Sequence, residues 1–176
     1  MTERIKRFIH IPIIMKLGCN LTNPITLINQ LQANGAAGIV LFNRFYQPDI
    51  DIEKLIHTSG KVFSNETDFS NTLRWIGIAS GSIKQIDFAA SGGIHIPQSV
   101  IKAILAGASS VEMCSAFYLN NSKIIQPYLH YIQGWMERHG MNNISQFKGM
   151  LNIRDLKDIN TFERTQFMKY FSAKAQ

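Results

Sequence analysis

Residues 86–117, IDFAASGGIHIPQSVIKAILAGASSVEMCSAF, constrain the fold more than any other stretch. Residues 86–90 are a short apolar run, and Ser91-Gly92-Gly93 follows directly. Adjacent glycines let the backbone reach positive φ and let a ligand come close where a Cβ would collide. Pro97 suits a first helical turn, where its missing N–H costs nothing. Val100, Ile101, Ile104 and Leu105 then share one helical face, and Gly107 supplies a stop. Residues 110–115 read as a second strand. Two parallel strands joined by a helix bring their C-terminal ends, one glycine-rich and one serine-bearing, to the same rim. Backbone N–H groups gathered there suit an anion, typically phosphate. A Gly-Gly pair after a strand is also compatible with a plain turn.

The same unit recurs. NGAAGIVLFN and AGASSVEMCS each carry a helix-closing glycine (Gly35, Gly107) and a polar residue (Asn43, Ser115) eight positions later. That spacing predicts parallel strands sharing one functional rim. Residues 11–17, IPIIMKL, form an apolar strand interrupted by Lys16, whose charge at a strand end calls for an anionic or acceptor partner. Asn23-Pro24 opens a helix with Ile25, Leu27, Ile28 and Leu31 inward, and residues 38–43 are the next strand. Four near-continuous apolar strands (11–17, 38–43, 86–90, 110–115) alternating with helices define an α/β fold with a parallel sheet.

Elsewhere the pattern predicts an amphipathic helix over 1–10, with Ile5, Phe8 and Ile9 apolar, and a short strand at Lys61-Val62-Phe63 within the irregular stretch 44–72. A connection that long usually carries binding function. Helices are predicted over 71–80, 123–139 (capped by Gly140) and 144–150, followed by a connector over 151–159. A terminal helix is predicted from Thr161, with Phe162, Phe167, Met168, Tyr170 and Phe171 apolar. Neither a linker nor a second domain is read, so residues 1–176 are expected to form a single domain.

Composition narrows the function. Of 176 residues, 45% are hydrophobic and the net charge is +6, but the basic residues are scattered rather than interleaved with aromatics. That disfavours nucleic-acid binding and suits a phosphorylated small molecule. No apolar run approaches the ~20 residues of a membrane span, so no membrane association is expected. Cys19 and Cys114 form no CxxC pair and no metal-ligand spacing is read. The expected location is cytoplasmic.

Lys16 with Asn20, LFNRFYQPDID (41–51), TLRWI (72–76), ASGGI (90–94) and VEMCSA (111–116) together resemble the dihydroorotate dehydrogenase family, in particular its soluble class. The resemblance implies a (β/α)₈ barrel with FMN at the C-terminal rim, oxidising dihydroorotate to orotate in pyrimidine synthesis. It runs from residue 11 to about residue 151 and implies only the C-terminal half of the barrel, strands five to eight. It further implies that Lys16 approaches the electron-rich edge of the flavin, with Phe42 nearby. Asn43 would bind the substrate pyrimidine, and Gly92, Gly93, Cys114 and Ser115 would surround the FMN phosphate. Ser64 falls in a flavin-contacting stretch whose glycine-rich pattern is not kept. Arg44 stands where the family has a small hydroxyl residue. The family's base, a cysteine or serine after strand four, would lie before Met1, so no catalytic residue is assigned here. Cys19 follows the lysine strand and is expected to be structural.

Those implications lead to an FMN oxidoreductase half-barrel lacking its base and inactive alone, completed by an N-terminal half-barrel chain. The alternatives are a self-associating half-barrel that binds FMN or phosphate weakly, and a truncated product without independent function.

Overall fold

The computed structural model describes residues 2–155. A short helix α1 (Thr2–Lys6) leads to strand β1 (Ile14–Gly18), helix α2 (Ile25–Ala33) and strand β2 (Gly38–Asn43). A hairpin of β3 (Pro48–Asp51) and β4 (Ile56–Ser59) follows, then helix α3 (Phe69–Ser82), β5 (Asp87–Ser91) and α4 (Pro97–Ala106). β6 (Ser110–Glu112), α5 (Ser115–Asn120) and α6 (Ile125–Arg138) complete the elements that matter here.

The main sheet is wholly parallel, ordered β1-β2-β5-β6. All four strands expected from sequence are in it, in chain order. Lys16, Val40, Ala89 and Ser110 stand in register across it and therefore share one face. The intervening residues Ile39, Leu41, Phe88 and Ala90 are almost fully buried on the other face, in a core with Ile28, Ile76, Ile101 and Ile104. The two central strands are the continuous apolar ones, because strands covered on both sides have no place for solvated side chains.

The edge strands depart from expectation. β1 starts at Ile14 rather than residue 11, since Pro12 has no N–H to give a ladder. Ile11 and Ile14 are exposed rather than buried. β6 is three residues long: Cys114 already has helical dihedrals and Ser115 opens α5.

Other corrections are local. Lys61-Val62-Phe63 is not a strand; the outlying strands are β3 and β4, paired antiparallel from Pro48–Ser59 to Asp51–Ile56. The Asp51 side chain accepts from the N–H groups of Glu53 and Lys54 and closes that turn. These bonds, with that of Lys54 largest, hold its carboxyl below the usual carboxylate range. α1 stops at Lys6, leaving Phe8 exposed. The helix expected over 71–80 runs longer, and that over 123–139 begins at Ile125 after a 3₁₀ turn, with Pro127 in its first turn. Residues 144–150 make only a 3₁₀ turn over Ile144–Gln146, because Gly149 takes φ +75°. The N–H groups of Gly149 and Leu151 then cap the carbonyls of Ile104 and Leu105 on α4. The terminal helix expected from Thr161 lies outside the described residues.

Pro97 is the first residue of α4, and Gly107 ends it at φ +114°. The Asn23 side chain accepts from the Ile25 N–H, with Pro24 in helical conformation behind it. The α4 termini are therefore formed as expected, whereas α2 starts one residue later than read, with Pro24 itself in the cap position.

Candidate functional site

The C-terminal ends of the four parallel strands surround an open cleft of about 350 Å³. Lys16 of β1, Phe42 and Asn43 of β2, Gly92 and Gly93 after β5, and Cys114 and Ser115 after β6 all line it. Every site residue expected from sequence is thus at one place, although the seven come from four strands. Strands that all run parallel in one sheet deliver their C-terminal ends to the same rim.

The two glycines have different jobs. At Gly92 (φ +99°) a Cβ would meet nothing within 4 Å, so glycine there serves backbone conformation beside the cleft. At Gly93 (φ +73°) a Cβ would lie 2.2 Å from the Phe69 backbone nitrogen. Its missing side chain therefore admits the start of α3 rather than a ligand. Both glycines take the positive φ expected of them, and at Gly93 packing against α3 is a further reason for glycine.

Lys16 has the anionic partner its position demands. Its Nζ donates to Glu112 Oε2 at 2.7 Å, from β1 to β6, the two edges of the sheet. Both side chains are about two-fifths exposed, so the pair contributes at most about 1 kcal/mol to stability. Its importance is to the charge of the cleft, which Glu112 also lines.

Arg44 lines the cleft but its guanidinium is committed to the protein. One nitrogen donates to Asp68 Oδ2 at 2.5 Å; the other donates to Gln47 Oε1 and the Lys61 carbonyl. Arg44 thereby ties the hairpin's base to the 61–68 loop. Ser64 on that loop donates its N–H to Ser115 Oγ (3.0 Å), and its hydroxyl pairs with His95 Nε2 (2.9 Å). Phe63 leans on Tyr118 of α5 with ring centroids 4.9 Å apart. The 61–68 loop is thus fastened to both the glycine loop and the serine end.

Glu112, Asp68 and His95 were not visible as site residues in the sequence. Each works through a partner from 24 to 96 positions away, and no local spacing encodes such a pairing. Cys19 is exposed, unpaired and not among the residues that line the cleft, whereas Cys114, also a free thiol, borders it. Among the described residues no group of three or more His, Cys, Asp or Glu could hold a metal, and no helix is long and apolar enough to cross a membrane.

A parallel sheet with alternating helices, presenting its cleft at the C-terminal strand ends, defines half of a (β/α)₈ barrel. The Eimeria tenella DHODH solved with ferulenol shares this fold, with a TM-score of 0.63 at 19% identity over 79% of this chain and 38% of that one. No family model matches the chain. The catalytic subunit of dihydroorotate dehydrogenase B (NAD(+)) from Alkaliphilus metalliredigens is 29% identical over 155 residues, covering 86% of this chain and 50% of that protein. Dihydroorotate dehydrogenase A (fumarate) from Lactobacillus helveticus is 28% identical over 157 residues, covering 87% and 50%. The chain is thus similar to dihydroorotate dehydrogenases, and it spans about half the length of these relatives.

Proposed function

We propose that the chain forms the cofactor-phosphate half of an FMN-dependent oxidoreductase of the dihydroorotate dehydrogenase type, working on a dihydropyrimidine, and that it does not turn over by itself. The carrying observation is that the residues expected to hold flavin and substrate line one cleft. The local chemistry fits an anionic cofactor: an open positive-φ glycine turn at Gly92 lines the cleft together with Ser115, whose oxygen already accepts from Ser64 and whose own proton remains to donate. The Gly92-Gly93 backbone, Cys114 and Ser115 would hold the phosphate, and Lys16 and Phe42 would lie toward the ring. Asn43, an amide with both donor and acceptor, would orient the pyrimidine. FMN, when bound, supplies a two-electron hydride acceptor. Oxidation also needs a base, worth ~10²–10⁴-fold, which this reading assigns to the half of the family's barrel outside this chain.

Completion of the barrel follows from the same reading. Among the described residues β1 and β6 each have one neighbour in the sheet, and an unpaired edge is a template for another strand. An N-terminal half-barrel fits those edges; a second copy of the chain is the competing occupant. Fluorescence titration of FMN, with sedimentation in parallel, tests the cleft. Mixing the chain with the N-terminal half of a family member and following orotate formation tests completion. A monomer with no flavin response, no association and no activity would leave only a product without independent function.

A further inference from the structure

A second cavity, of about 550 Å³, lies at the opposite end of the sheet and shares no residue with the cleft. It opens where α3 and α4 end and β5 begins, beside Ser80, Gly107 and Ile86. Lys84, Lys148 and Arg154 line it, and among the described residues no Asp or Glu does. Helix C-termini ordinarily repel an anion, but the carbonyls here are already occupied. Ser80 Oγ donates to the Ala106 carbonyl at 2.6 Å, and Arg154 Nη2 donates to that of Ser80 at 3.3 Å. The Gly149 and Leu151 N–H groups take those of Ile104 and Leu105.

Donors are left over. Asn152 lines the cavity and is 6% exposed; its Oδ1 accepts from the Arg154 N–H at 3.0 Å. Its Nδ2 donates to nothing among the described residues, yet it is not sealed from solvent. Lys84 makes no ion pair among the described residues, and Arg154 Nη1 makes no hydrogen bond there. Lys148 is set in place by Ser109 Oγ (2.6 Å) and Asp87 (3.3 Å), whose carboxylate stays largely in water. Gln85, also in the wall, holds φ +61°, a region that residues with side chains seldom enter.

We propose that this cavity is a binding site for a small organic phosphate. Lys84, Arg154 and the Asn152 amide offer donors from three directions, which suits a tetrahedral dianion better than a flat carboxylate. Its apolar body would lie against Ile83, Ile86 and Phe88, a wall that a lone phosphate ion would leave unused. The proposal stands apart from the flavin reading, because none of these residues belongs to the cleft.

The test is titration of the full chain with phenyl phosphate, benzoate and inorganic phosphate, followed residue by residue through amide NMR shifts. Phenyl phosphate is expected to move Gln85, Gly149 and Asn152, and to bind at least about tenfold more tightly than either other probe. Lys84→Gln and Arg154→Gln, at exposed positions, should each weaken it by about tenfold, the worth of one hydrogen bond to a charged group. Asn152→Asp keeps the acceptor for the Arg154 N–H but replaces the donor with a charge, and should abolish binding. Shifts at Gly92 and Ser115 report the cleft separately and should be the same in all these variants. No response at Gln85, Gly149 and Asn152, equal affinity for benzoate or inorganic phosphate, or undiminished affinity in both Gln variants would each overturn the proposal.

Discussion

Lys16 and Glu112 meet at 2.7 Å although they lie on the first and last strands of a four-stranded sheet, 96 positions apart. Only a curled sheet lets its two edge strands touch through side chains on one face. The contact is therefore a direct sign of barrel curvature in this chain. Because both groups are partly exposed, breaking it should move charge-dependent binding far more than stability. Lys16→Met is expected to lower the melting temperature little, since a pair of this exposure contributes at most about 1 kcal/mol. Denaturation beside the ligand titrations checks that separation.

Gly92 and Gly93 should respond differently to alanine. Both would pay the left-handed backbone cost of roughly 1–2 kcal/mol. Gly93→Ala would also drive a Cβ into the Phe69 backbone, adding about 1–3 kcal/mol. Urea denaturation should show Gly93→Ala clearly the less stable of the two. Equal losses would mean that packing against α3 is not what selects Gly93.

Removing Arg44 should loosen the 45–63 segment without unfolding the sheet. Arg44→Met deletes the bonds to Asp68, Gln47 and the Lys61 carbonyl, and the loss is expected to be about 1 kcal/mol, since these groups are partly solvated. Limited proteolysis should cut the variant first within residues 45–63. An unchanged cleavage pattern would remove Arg44 from the role of tying the hairpin to the 61–68 loop.

Phe147 is completely buried, its ring edge-on to Trp135 at 5.0 Å between centroids. Phe147→Ala should cost about 3–5 kcal/mol, because it empties the contact that holds residues 141–152 against α6. Trp135 fluorescence should change with the same transition.

Tyr128 titrates above the usual tyrosine range, chiefly through burial and secondarily through the nearby Glu66 carboxylate. A raised folded-state pKa means that the folded protein holds this proton more tightly than the unfolded chain does. Its contribution is complete below the unfolded tyrosine value of about 10 and is lost as pH rises beyond it. Tyr128→Phe should flatten the alkaline limb of the stability profile relative to wild type between pH 8 and 11. Parallel profiles for the two proteins would contradict this.

The sequence by itself determined the order of parallel strands, the α4 termini at Pro97 and Gly107, and the location of the rim. Each is a short-range consequence of periodicity or backbone permissiveness, legible within a dozen residues. Seven site residues could be placed together because the βα repeat forces strand ends to one side. Sequence reading failed where the outcome depended on what approaches from elsewhere. It put a strand at 61–63, but Arg44, Ser64 and Phe63 instead anchor that loop to the rim. It treated Gly92 and Gly93 alike, although only Gly93 faces a helix. It anticipated a partner for Lys16 but could not name it. Tertiary structure decided that the partner is Glu112, because which side chains cross a sheet depends on its curvature, and curvature is set by all four strands together.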